Sequence, residues 1–199
     1  MKNKGIAPIV IVIVVVVVVA AAAGGYFMLA GGGGEGGGGT GGGPSENIVW
    51  SDVSSLDMGQ DRGSEGEVES EGWIKVEGIG TPQLKVRSDA TAVDPGNGEP
   101  TEYKMILNEE TEKAWIYFGY EGSAPEGWHN VEEEGLNPQL TYEKAQTDME
   151  NVLSSIGNKF SEWSEGENIT VHLFGEFFRF YDIKVNAEID DSLFEDPTA

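Results

Sequence analysis

The sequence predicts an α+β protein with a single N-terminal transmembrane helix, a glycine-rich linker, and an outer antiparallel β-meander packed on one amphipathic helix. Three observations carry this. Ile6 to Ala30 is a run of 25 residues without a charge. Gly31–Gly43 holds eleven glycines in thirteen positions. From Asn47 onward, short alternating apolar runs are punctuated by Gly, Pro, Asn and acidic clusters. They give way once, after Thr141, to apolar residues spaced three and four apart.

The uncharged run would reach ~37 Å as a helix at ~1.5 Å per residue, enough to cross a ~30 Å hydrocarbon core with some tilt. So many Val and Ile residues disfavour an isolated helix in water. Lipid imposes one, because each backbone amide must find its partner within the segment. Lys2 and Lys4 precede the run, and basic flanks stay in the cytoplasm. Residues 31–199 are therefore expected outside the cell membrane. A secretory signal cut within Ala20–Gly25 is the alternative, although its apolar core would be ~7–15 residues, shorter than this run. Residues 31–46 then form a linker that buries nothing to offset the entropy of ordering, with a root-mean-square span of ~20 Å.

Residues 47–199 are one domain's worth of chain. All 35 acidic residues lie beyond Ala30, with ten of the twelve Lys and Arg, a balance of −25. Such a surface repels nucleic acid and anionic headgroups, stays soluble, and suits saline surroundings. With no cysteine in the chain, disulfides, thiolate metal sites and cysteine nucleophiles are excluded.

Within the domain, Ile48-Val49-Trp50 and the alternating Val53, Leu56 and Met58 predict a first strand. The polar run Gly59–Gly72 reads as a solvated hairpin. Trp73–Glu77 and Leu84–Arg87 predict two more strands around Gly78–Pro82. Asp94–Pro100 is a turn, since Pro presets φ while Gly and Asn tolerate positive φ. Tyr103–Leu107 and Lys113–Phe118 predict a hairpin. Pro125–Pro138, with Trp128 and His129, reads as a long acidic loop. Tyr142, Ala145, Met149, Val152, Leu153, Ile156, Phe160 and Trp163 line one face of a helix capped by Thr141 and stopped near Gly166. Gly157 weakens that helix by up to ~1 kcal/mol, which implies a close neighbour there. Strands return at Ile169–Leu173 and from Phe177 to Ile189.

Two resemblances add to this reading. Lys4-Gly5-Ile6-Ala7-Pro8-Ile9-Val10 resembles the class III signal of archaeal type IV pilin-like proteins, a short basic leader ending in Gly before an apolar helix. The resemblance implies that residues 1–5 are a leader cleaved between Gly5 and Ile6. Val10 stands where bacterial pilins carry Glu at the fifth mature position. The outer domain resembles the LolA-like fold of lipoprotein carriers. The likeness is carried by Leu84-Lys85-Val86-Arg87-Ser88-Asp89, by Lys113-Ala114-Trp115-Ile116-Tyr117, and by the terminal phrase Val185–Glu195. It implies an unclosed antiparallel half-barrel wrapped on a helix, and a groove for lipid or lipoprotein acyl chains.

No catalytic residue emerges. His129 and His172 stand outside any metal-ligand spacing, and nucleophile elbow, P-loop and dinucleotide fingerprints are absent. No cofactor or metal is expected. Glu132–Glu134 and Asp190-Asp191 read as solvated faces. Asn168-Ile169-Thr170 is an N-glycosylation sequon, so Asn168 is a candidate for modification. The candidate groove residues are Trp73, Trp115, Tyr117, Met149, Val152, Leu153, Ile156, Phe160, Phe178 and Phe180, each of which on its own would ordinarily be core. The expectation is a non-catalytic, membrane-tethered binding domain. Its partners are the bilayer, through the N-terminal helix, and a hydrophobic small ligand or lipoprotein; nucleic acid is not among them. The competing class is a pilin-like subunit or surface adhesin that self-assembles through that helix.

Overall fold

The computed structural model describes residues 48–64, 67–93, 98–119, 125–133, 136 and 141–199. The leader 1–5, the apolar run 6–30, the linker 31–46 and the processing pair Gly5 and Ile6 lie outside the described residues. No helix among the described residues is long and apolar enough to cross a membrane.

Eight strands form one open antiparallel sheet: β1 (Ser55–Ser64), β2 (Glu67–Glu77), β3 (Lys85–Val93), β4 (Pro100–Asn108), β5 (Lys113–Phe118), β6 (Gly127–Asn130), β7 (Ile169–Leu173) and β8 (Glu176–Val185). Their order is β6-β5-β4-β3-β2-β1-β8-β7. The first six run as a meander, and the β7–β8 hairpin closes onto the free side of β1. Between β6 and β7 the chain crosses in the helix α1 (Tyr142–Phe160). This helix approaches β7 near one edge and β4 and β5 near the other most closely. It therefore spans the mouth of a half-pipe whose floor is β1 to β3. The α+β class and the unclosed sheet on one helix are as the sequence predicts.

The alternation of the strands sorts the side chains. Leu56, Met58, Ile74, Val76, Val86, Met105, Leu107 and Ile116 point to the concave side and are buried there with Met149, Val152, Leu153 and Ile156 of α1. A bulge opposite Met58, at Asp182 with φ 51°, resets the alternation of β8, so that both Phe180 and Ile183 face inward. Lys75, Lys85, Arg87, Lys104, Lys113, Arg179 and Lys184 occupy the convex side, where Asp57, Asp61, Asp89, Glu102 and two carboxylates beyond the sheet, Asp191 and Asp196, pair with them. Every buried apolar side chain of the described residues lies between Val53 and Phe194.

The structure corrects three expectations. Trp50–Asp52 is a 3-10 turn, not strand, and the first strand begins at Ser55. The run Gly59–Gly72 does pair as a hairpin, β1 against β2, but it is solvated only in part: Glu67, Val68, Glu69 and Glu71 are exposed, whereas Gln60, Asp61, Arg62 and Ser70 are buried. Its charges tolerate burial because Arg62 pairs with Glu176 and Asp61 with Arg179. Within the expected acidic loop, Gly127–Asn130 adds an edge strand to β5, bringing Trp128 beside Tyr117 and His129 beside Phe118.

The helix begins as predicted, with the Thr141 hydroxyl accepting from the Lys144 amide at 3.2 Å. It ends earlier than Trp163, which stacks on Phe160 at 5.0 Å instead. The close neighbour at Gly157 is the indole of Trp50, which a Cβ there would meet at 2.6 Å. The C-terminal segment folds back over the outside of β3 and β4. Asp190 caps a 3-10 turn at Asp191–Phe194, Asp191 pairs with Lys85 at 2.8 Å, and Asn108 donates to the Phe194 carbonyl at 3.3 Å.

Candidate functional site

Antiparallel register lays the concave face out in rows. At the Leu56 end of the floor, one row runs Leu56–Val76–Val86–Leu107, all large and apolar. The next row, Met58–Ile74–Ser88–Met105, admits one serine. The third is Gln60–Gly72–Ala90–Tyr103 and the fourth Arg62–Ser70–Ala92–Thr101. The floor thus changes character along the half-pipe. In the two last rows, β2 and β3 contribute only Gly, Ala and Ser, while Phe178 and Phe180 on one flank and Phe118 on the other stand higher.

This short-side-chain floor is lined with polar groups. Gln60 is 2% exposed and reaches across β2, above Gly72, to donate from Nε2 to the Ser88 hydroxyl at 2.8 Å. A Cβ at Gly72 would lie 2.1 Å from the Asp89 carbonyl oxygen, so no side chain can stand there without displacing backbone. The Gln60 Oε1 and the Ser70 Oγ are buried without a hydrogen-bond partner. Buried polar atoms left unpaired are uncommon, and water or a ligand ordinarily meets them. Arg62, 4% exposed, is held by Glu176 through Nε and, at 2.5 Å, Nη2. On α1, Asp148 is buried and ion-paired with Lys144 one turn earlier. Burial pushes its carboxyl above the ordinary aspartate range, and Lys144 only partly offsets this.

The sequence-predicted groove residues divide between two faces. Met149, Val152, Leu153, Ile156, Phe160, Phe178 and Phe180 converge on the concave side and are packed into the core. Trp73, Trp115 and Tyr117 are on the convex side, because each is one residue out of phase with the inward-facing set of its strand. Trp73 has the Lys75 ammonium over its ring at 5.6 Å, and Tyr117 has Lys104 at 5.0 Å. Trp115 is buried on the side where the C-terminal segment also buries Phe194 and β4 buries Ile106. Asn168 is exposed immediately before β7, with Thr170 also exposed. His129 contacts Glu133 at 3.0 Å and the Pro125 carbonyl at 2.8 Å, while His172 is exposed. Among the described residues no group of three or more His, Asp or Glu converges as a metal site.

Sequence reasoning missed Gln60, Arg62, Ser70, Ser88 and Tyr103. The signal was present as phase: Gln60 and Arg62 continue the two-residue period of Leu56 and Met58, and Ser70 continues Ile74 and Val76 backwards. Their polarity concealed it. In comparisons with known proteins, no family model, no curated protein and no solved structure matches this chain.

Proposed function

We propose that this chain is an extracytoplasmic, non-catalytic binding domain, held at the cell membrane by residues 6–30 and leashed by the glycine run. In this reading it keeps a lipid or other hydrophobic ligand between the sheet and α1. One observation carries the proposal: the floor of the half-pipe under α1 switches from large apolar to Gly, Ala and Ser between flanking aromatic rings, with two polar atoms left without partners. A core selected for stability alone would fill that floor with large side chains, as it does two rows away. The charged groups Arg62 and Asp148 of the interior are engaged in ion pairs, with Glu176 and Lys144. That arrangement suits holding a ligand better than performing chemistry on it. The LolA-like and pilin-like resemblances support the same placement outside the membrane.

Burial of an alkyl chain contributes ~0.8 kcal/mol per methylene, so about eight methylenes give no better than tens of micromolar affinity before association costs. The test is a titration of residues 48–199, which carry the whole described core, with diphenylhexatriene, an uncharged fluorescent hydrocarbon. Saturable binding is expected in the parent, and its loss in Ala90→Leu, which raises the floor, at matched thermal melts. A parent with a cooperative melt but no saturable binding, in low or molar salt, overturns the proposal.

A further inference from the structure

The unpartnered polar atoms also specify the ligand's head. Gln60 and Ser70 are diagonal neighbours on the same face of the β1–β2 pair, since Gln60 faces Gly72 and Arg62 faces Ser70. Both are more than nine-tenths buried. Gln60 gives one of its two amide N–H groups to Ser88 and presents Oε1 as an acceptor without a partner; Ser70 presents a hydroxyl that either donates or accepts. A group matching both donates to Gln60 and either accepts from or donates to Ser70; a single alcohol hydroxyl meets this by donating to the first and accepting from the second.

Charged heads fit worse. A carboxylate would need a spare cation, but the guanidinium of Arg62 is already neutralised by Glu176. The domain's net charge also raises the free energy of any anion entering it. An ammonium would need a spare carboxylate, and Glu176 and Asp148 are both ion-paired. A buried charge without a counter-charge is far more costly than a buried hydroxyl. We infer that the half-pipe takes a neutral, hydroxyl-bearing amphiphile such as a long-chain alcohol or a monoalkyl glycerol. Its hydroxyl bridges Gln60 and Ser70, and its chain runs toward the apolar rows. This inference rests on the binding function proposed above.

The experiment uses the full chain in lipid nanodiscs and three photoreactive tetradecyl probes that differ only in their end group: hydroxyl, carboxylate or methyl. Cross-linked peptides are mapped by mass spectrometry. The hydroxyl probe is expected to label β1 to β4 about tenfold more than the other two, as one or two well-made hydrogen bonds allow. Gln60→Leu, and separately Ser70→Ala, should reduce hydroxyl labelling to the methyl level while leaving methyl labelling unchanged, with thermal melts verifying folding. Equal labelling of β1 to β4 by all three probes, insensitive to both substitutions, would mean that water alone meets these atoms. That would overturn the head-group assignment and leave the binding function standing. Labelling by no probe, in a protein that melts cooperatively, would overturn both.

Discussion

Gly157 is mid-helix, where alanine would ordinarily stabilise by ~1 kcal/mol. Here the Trp50 indole lies against it and also contacts Phe160, with centroids 5.3 Å apart. Gly157→Ala should therefore lower the melting temperature. In a Trp50→Ala background the same substitution should instead raise stability by ~0.5–1 kcal/mol, a reversal that a double-mutant cycle of denaturant melts reads directly. Asp148 has a pH signature. Its folded-state pKa is raised, chiefly by burial, so the native state binds the proton more readily than the unfolded chain does. Its contribution is thus fully present below the ordinary aspartate range and is lost as pH rises through the raised value. Asp148→Asn should remove that loss, leaving a variant more stable than the parent at neutral pH and similar to it in acid. Paired melts from acid to neutral pH check the sign.

At the scale of elements, α1 matters through one stripe. Leu153 is buried against the sheet and Glu150 is exposed, so Leu153→Ala should cost ~2–5 kcal/mol and Glu150→Ala little. Equal costs in chemical denaturation would contradict the helix phase. The apolar part of this stripe was legible from spacing, though not the buried Asp148 nor the stop at Phe160, because a helix of nineteen residues repeats its apolar signal several times. The hairpin at β4–β5 was legible for the same reason. The upper half of β1 and β2 was not, since its inward positions are Gln, Arg, Gly and Ser, whose burial depends on residues of other strands, such as Ser88 for Gln60 and Glu176 for Arg62. Trp73, Trp115 and Tyr117 mislead in the opposite sense. Aromatic residues read as core, and only strand phase shows that they stand on the convex side, all three beneath lysines. The candidate site was therefore half visible: the helix and β8 contributions could be read, and the polar floor could not.

For the molecule as a whole, charge sets how stability responds to its surroundings. Residues 31–199 carry a balance of −25, while basic residues gather on the convex face in pairs such as Lys75–Asp57 and Arg87–Asp89. Exposed pairs contribute ~0–1 kcal/mol each and weaken with salt, whereas screening relieves the repulsion among all the unpaired carboxylates. The second effect should win. Raising sodium chloride from tens of millimolar to molar is expected to raise the melting temperature by about 5 °C or more, equivalent to ~2 kcal/mol in a domain of this size. A fall in melting temperature would show that the convex ion pairs dominate instead.

The place of β1 in the strand order bears on how the chain comes into being. It pairs with β2 on one side and, on the other, with β8, whose residues follow some 120 positions later. During synthesis β1 must therefore wait, one row of backbone amides and carbonyls unpaired, until β8 has emerged. Such distant pairings slow folding and leave an edge open to other chains. An unfinished chain ending before Glu176 would present that edge permanently, with Asp61 beside it stripped of Arg179, while Asp57 would lose Lys184 and keep Lys75. The Asp61 carboxylate that is neutralised in the finished fold would then help to keep incomplete copies apart, so the same acidity that suits the finished surface guards its assembly.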